Sequence, residues 1–419
     1  WLDDGFNVGQ TIQAAGFADS DSNGDKIVVA VTDARLTVAD AGANMPDVTI
    51  GDGTVRILME KLRATGRNVN LEKNILESEE VDADGQETDV RHGFNRVVGS
   101  PGYQLSPIDY DDFIEFLLVG AWTAVTPGSL TFAPGADPVS FTGTSLITNG
   151  LRPGDIVRTA DGKDVRILTV DSESAGTAAN PVGDSIETAD TGTATFPGKR
   201  IDLVPGLCTI VLERAFADVG RYQAFNGVVV NSMQLGITPE AIINGSFGLL
   251  GMSAAAMATS PLSSVNPVES SGSTPFAAFD GTIFEGATRI AVVTSVDFTV
   301  ERNRSLNPVV GSKFSPDVFE GTARGNGSAG LYFEDEALFN KFANETESSM
   351  WNKFQDPADS TSFMNIVFPR IKYTGANMDP PQEGPIIMDM PFRALKATGL
   401  AVPGGLTVNT MMSIQRSNA

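Results

Sequence analysis

Along this chain, apolar and polar residues mostly alternate in short runs with a period of two rather than 3.6. Residues 26–31 and 35–38 are β-branched runs split by turn residues. In the second half, residues 227–235, 241–250, 289–300, 362–368 and 385–395 read as strands, with a glycine-rich tail after them. The alternation is strict from Ile243 to Leu250. Ile243, Gly245, Phe247 and Leu249 fall on one face, and Asn244, Ser246, Gly248 and Leu250 on the other. The first face is expected to pack on a core, and the second, small and mostly polar, to stay open.

Two stretches carry a helical period. Ser106 offers an N-cap, Pro107 a first helical position and Asp109 a capping-box carboxylate. Tyr110, Phe113, Ile114, Phe116 and Leu117 follow at helical spacing, and Gly120 closes the helix. Residues 334–344 predict a second helix, with acids in its first turn and an apolar face of Leu338, Phe339 and Phe342. The fold class is therefore mainly β. One pattern recurs: Gly5-Phe-Asn-Val-Gly-Gln-Thr-Ile12 reads against Gly150-Leu-Arg-Pro-Gly-Asp-Ile-Val157, each followed by a polar turn and a strand. That suits a small β-barrel used twice.

Composition supports short strands and turns. Gly (43) and Pro (23) make up about one residue in six of the 419, above the ordinary share of roughly one in eight. The charge balance excludes a phosphate-gripping surface: 52 acids against 29 bases leave −23, whereas such a surface needs a basic face. The single cysteine, Cys208, rules out an internal disulfide or a cysteine-rich zinc site. Its apolar flanks read as a buried strand holding a structural thiol. The single histidine, His92, sits in a polar connecting stretch and excludes two-histidine metal sites.

No catalytic, cofactor or metal residue is expected. Asp19-Ser-Asp-Ser-Asn-Gly24 opens like a calcium loop, but the acid due at the twelfth position falls on Ala30. Neither a nucleophile elbow nor a phosphate-binding loop occurs, and residues 321–327 miss the dinucleotide spacing. Acid pairs such as Asp111-Asp112 and Glu79-Glu80 read as solvated faces. The chain reads as a non-enzyme. The longest uncharged stretch, residues 241–268, is broken by Asn, Pro and Gly, so no membrane span is expected. Trp1 reads as lying inside a longer product.

Against that background a set of segments resembles a known family. Residues 65–81, 91–102 and the helix running to Trp122 look like the first half of a phage tail tube protein. Residues 293–303, 310–312, 319–323, 331–335, 346–349, 368–373 and 391–395 resemble the second half in type and order. The resemblance implies a tail-tube-type β-sandwich or barrel with one flanking helix, plus small β-barrel modules. It divides the chain into an incomplete, repeat-like β module (1–48), a first segment of the tail tube domain (49–121), an inserted small β-barrel (122–212) and a second segment of the tail tube domain (213–419). The insert is expected to project from the tube domain.

The resemblance further implies a structural virion protein that forms stacked, hexameric rings, surrounds the tape-measure protein and conducts DNA without binding it specifically. Such a protein belongs to the virion tail and is assembled in the host cytoplasm. Another tail or neck component, such as a tail terminator or distal tail protein, and a glycan- or receptor-binding β protein are the alternative readings. Self-assembly is expected to use Asn244, Ser246 and Gly248 on the channel side. The uncharged segment after them, with Met252, Met257 and Leu262 as apolar contacts, is expected to reach the adjacent ring.

Overall fold

The computed structural model describes backbone strands within residues 11–15, 24–31, 36–39, 54–57, 401–402 and 406–407. It describes the chain more fully over residues 60–77, 89–126, 129–135, 138–160, 162–179, 194–262, 267–286, 288–290, 293–334, 336–356, 359, 361–378, 383–397 and 409–417. The fold is mainly β.

Its centre is two packed antiparallel layers. In the first, Val69–Glu77, Val90–Gly99, Asn244–Gly251, Arg221–Ile237, Val293–Glu301, Arg324–Tyr332 and Ile387–Ala394 pair in that order. In the second, Gly281–Glu285, Ser348–Gln355, Phe363–Tyr373, Ser413–Arg416 and Lys199–Asp202 pair in order. Phe363–Tyr373 serves both layers. Its first half bonds Ser413–Arg416, and Ile371, Lys372 and Tyr373 bond Ile387–Ala394. The switch falls at Pro369, which has no N–H to give, and the partner strand shifts register opposite it. Phe298 and Phe368 meet in the core at 5.0 Å, and Phe368 meets Phe392 at 6.1 Å.

The helix Asp111–Leu118 buries Phe113, Ile114, Leu117 and Leu118 against this core. It starts later than the sequence suggests. Ile108 takes a left-handed φ of 72°, so Pro107 and Asp109 lie in a turn before the helix. Asp109 caps nothing there. Ser106, Ser271, Ser273 and Arg63 all donate to its carboxylate. Burial pushes that carboxyl up, but these four hydrogen bonds outweigh it and hold the group below its usual range. At the other end Val119 is the left-handed residue, and Gly120 follows because a Cβ there would strike the Asp202 carbonyl. The second helix, Ala337–Ala343, packs Leu338, Phe339 and Phe342 on the core.

Residues 130–179 form a separate five-stranded sheet. Ile156–Arg158, Asp164–Val170, Ala175–Ala179, Val139–Gly143 and Leu130–Phe132 pair in order. Phe132, Phe141, Leu146, Leu151, Val157 and Ile167 fill its own core. The expected module runs to 212. In the structure Lys199–Asp202 and Ile210–Phe216 are strands of the central sheets instead.

Nor does this small sheet merely project, because it is seated on the second layer through buried polar groups. Arg200 holds Asp155 with two bonds of 2.6 and 2.7 Å, and Gln415 bonds both backbone groups of Ile156. Asn365 donates to the Gly154 carbonyl at 3.0 Å. Lys353 reaches Asp164 at 2.8 Å, and the Arg166 guanidinium lies over the rings of Phe284 and Trp351.

Strands Thr11–Ala15, Gly24–Val31 and Leu36–Ala39 form a meander, and Thr54–Ile57 returns beside the first of them. The inserted sheet has the same meander in Ile156–Arg158, Asp164–Val170 and Ala175–Ala179, with Thr195 returning to bridge Arg158. The calcium-like loop at 19–24 falls outside the described residues except for its last glycine.

Three further expectations change. Cys208 is half-buried in a loop rather than in a strand, its thiol pushed up by burial and then by Glu115. His92 lies in Val90–Gly99, exposed. The tail after 395 contains Ser413–Arg416, a strand with all four residues buried.

The Asp155–Arg200 pair generates a prediction. Asp155→Ala strands a buried guanidinium and should cost about 3–5 kcal/mol. Asp155→Ala combined with Arg200→Met should recover most of that loss in urea denaturation.

Candidate functional site

The first layer has two chemically distinct faces. On the inner face, Ile243, Phe247 and Leu249 are buried as the alternation requires. Phe247 stacks on Tyr103 at 4.4 Å and meets Phe113 of the helix at 5.2 Å. Gly245 sits beneath the Tyr103 ring, where a Cβ would strike both the ring and the Gln234 carbonyl.

The outer face is polar across five strands, and register fixes which residues stand side by side. Asn244 faces Gly236, which faces Asp297, which faces Ser328, which faces Pro391. In the next row Ser246, Gln234, Thr299, Asn326 and Arg393 follow one another. In the third, Gly248, Ser232, Glu301 and Arg324 do so. Each of these is exposed or half-buried, while the residues between them are mostly buried and apolar.

This surface has small side chains and little net charge. Its acids on these strands are Asp297, Glu301 and Asp389, and its bases are Arg324 and Arg393. The excess of 23 negative charges therefore lies mostly elsewhere on the chain. Ser328 donates to Asp389. Desolvation, and then the neighbouring Asp389 charge, raise the Asp297 carboxyl above its ordinary value.

Of the six expected assembly residues, three lie here: Asn244, Ser246 and Gly248. Gly248 has a steric reason to be glycine, since a Cβ would meet the Ser232 hydroxyl. Met252, Met257 and Leu262 belong to a segment that the structure lays on its own subunit. The Met252 N–H donates to Asn226, Ala255 to Ala224 and Ala258 to Tyr222, and Leu262 donates to the Glu213 carboxylate at 2.6 Å. Farther on, Ser271 and Ser273 are tied to Asp109, and the Phe276 N–H bonds Leu105. In the described part of this segment, these backbone groups find hydrogen bonds within the subunit. Met257 remains exposed.

Sequence reasoning does not single out the other strands of the face as a surface. Ser295, Asp297, Thr299 and Glu301 alternate with apolar residues as plainly as 243–250 does. Arg324–Tyr332 is hidden by Gly325, Gly327 and Gly330, which resemble a loop. Gly327 is needed because a Cβ would strike the Phe392 ring and the Asp297 carbonyl.

Among the described residues no cluster of three or more His, Cys, Asp or Glu could hold a metal ion, and no helix is long and apolar enough to cross a membrane. The model of one protein family, described as phage tail tube protein, matches residues 29–394. No curated protein matches the chain.

The two faces should respond differently to truncation. Phe247→Ala should cost about 3–5 kcal/mol, and Ser246→Ala should stay within about 0.5 kcal/mol of the parent, both read by urea denaturation. The pH dependence has a definite sign. A carboxyl raised by folding binds its proton more tightly in the folded state, so the contribution of Asp297 to stability falls as pH rises above the ordinary value of 3.8. Asp297→Asn should flatten that fall in a series of melts from about pH 4 to about pH 7.

Proposed function

We propose, from the premise that the chain belongs to the phage tail tube protein family, that the polar face of its first layer lines the channel of a tube through which DNA leaves the virion. Membership makes the chain a structural component of a phage tail that assembles with itself. The finer reading is that six copies close each ring, that rings stack around the tape-measure protein, and that DNA later slides past the same surface. Asn244, Ser246 and Gly248 stand on that surface.

The observation that carries this reading is the continuity of the outer face. Five adjacent strands present Ser, Thr, Asn, Gln and Gly, with acids and bases that nearly cancel. A channel for a polyanion must neither grip phosphates nor offer apolar surface to bases. Gripping needs clustered Lys and Arg, and stacking on bases needs exposed aromatics. In the rows named above, the face has two arginines offset by acids and no aromatic ring. Six copies at −23 each would carry −138 per ring, a field that further opposes DNA adsorption. Most of that charge sits away from the face, so it would act at a distance.

Electron microscopy of the purified protein tests the assembly. Long stacked rings with an open lumen are expected; single rings that do not stack would favour a tail terminator or distal tail protein. The channel assignment is tested by Ser246→Arg, which should leave the melting temperature of the monomer nearly unchanged and slow DNA ejection from virions carrying it. Unchanged ejection kinetics would remove this face from the lumen.

A further inference from the structure

The strands that carry the polar face have unlike surfaces at their two ends. At one end the chain leaves Val293–Glu301 and re-enters at Arg324–Tyr332 through the loop 302–323. Ser305–Leu306 and Val318–Phe319 pair at the base of that loop, and a tight turn bridges Val309 to Ser312 with Gly311 at φ 89°. The tip is apolar and bare. Val310 is fully exposed, and Val309 and Phe314 are exposed beside it. Clustered apolar side chains held in water on a built turn mark a contact surface.

At the other end lies a groove of about 340 Å³. Its walls include Ile237 at the end of one strand, Val293 at the start of another, and Ile283 and Ile290 between them. Phe279 stands at its edge, 79% exposed. The two surfaces also match in charge. Exposed Lys313 and Asp317 flank the turn, and exposed Glu240 and Arg289 flank the groove, so each surface carries one charge of each sign.

We propose that the Val309–Ser312 turn of one copy seats in the Phe279 groove of a second copy. Turn and groove are set at opposite ends of the same strands, roughly 25–30 Å apart at about 3.3 Å per residue, so they do not meet within one chain. A contact between two different patches on identical molecules is head-to-tail, and with the patches at opposite ends of the same strands it can repeat from copy to copy along that direction. That is the geometry of an open stack. This inference rests on the tube reading and adds to it the surfaces that join one ring to the next.

Cysteine cross-linking of the full chain in a Cys208→Ser background tests it. A chain carrying both Val310→Cys and Phe279→Cys should give a ladder of covalent multimers when assembled protein is mildly oxidised. An equal mixture of the two single variants should stop at covalent dimers, and each single variant alone should give none. Val310→Asp, at a fully exposed site, should keep the monomer's melting temperature and raise the critical assembly concentration by about tenfold or more. Tubes that form normally yet give no ladder would overturn the contact and leave the tube reading standing. Self-cross-linking of Val310→Cys alone would overturn it in favour of a tip-to-tip contact. A parent chain that never assembles under the microscope would remove both.

Discussion

The period-two pleat of the first layer governs this molecule, because one row of residues must fill a core while its neighbours stay wet. A slip of one residue would carry Phe247, Val300 and Phe298 to the open side and Ser246 and Thr299 into the core. Register is therefore worth holding, and the structure holds it at Asn231, where Arg221–Ile237 shifts against its neighbour. The Asn231 side chain accepts the Arg304 N–H at 2.7 Å, its carbonyl accepts the Arg302 N–H, and the Arg304 guanidinium bonds the Val230 carbonyl. Both arginines also reach the Gly206 carbonyl. The irregularity sets where the regular pleat of this strand begins, opposite Gly248 on one side and Glu301 on the other.

The inserted sheet obeys a different rule. It has an apolar core of its own, yet it meets the second layer through Asp155, Arg200, Gln415, Asn365 and Lys353 rather than through an oily patch. Buried ion pairs gain little net stability, because desolvation offsets most of the attraction. What they supply is a single seating. Asp155 must find Arg200, and Gly154, at φ 101°, must lie against Val367. The related meander at 11–57 has Gln10 and Ile27 where the insert has Asp155 and Arg166, so it lacks that set of charges.

Strands whose two faces meet different surroundings are legible from sequence, and 243–250 is the clearest case. The helix is legible from its apolar stripe, but its start is not. Ser271 and Ser273, which draw Asp109 away from a capping role, come from more than 160 residues away. Arg324–Tyr332 is obscured because its glycines answer to Phe392 and Ser295 on neighbouring strands, which local pattern cannot show. The six expected assembly residues rest on two different kinds of sequence signal. Asn244, Ser246 and Gly248 follow from alternation, which the backbone enforces. Met252, Met257 and Leu262 follow from the absence of charge, and an uncharged segment can be satisfied by its own subunit just as well as by another.

Ser413–Arg416 has no amphipathic signature because the insert and the core bury both of its faces. Its position in the chain has a consequence for synthesis. Lys199–Asp202 and Phe363–Tyr373 flank it on either side, and both leave the ribosome before it does. Until residue 416 has emerged, the second layer has a gap in its middle and the insert lacks the Gln415 and Ser413 groups on which it sits. A growing chain therefore closes its second layer and completes the seat of the insert last, after the other strands of both layers have left the ribosome.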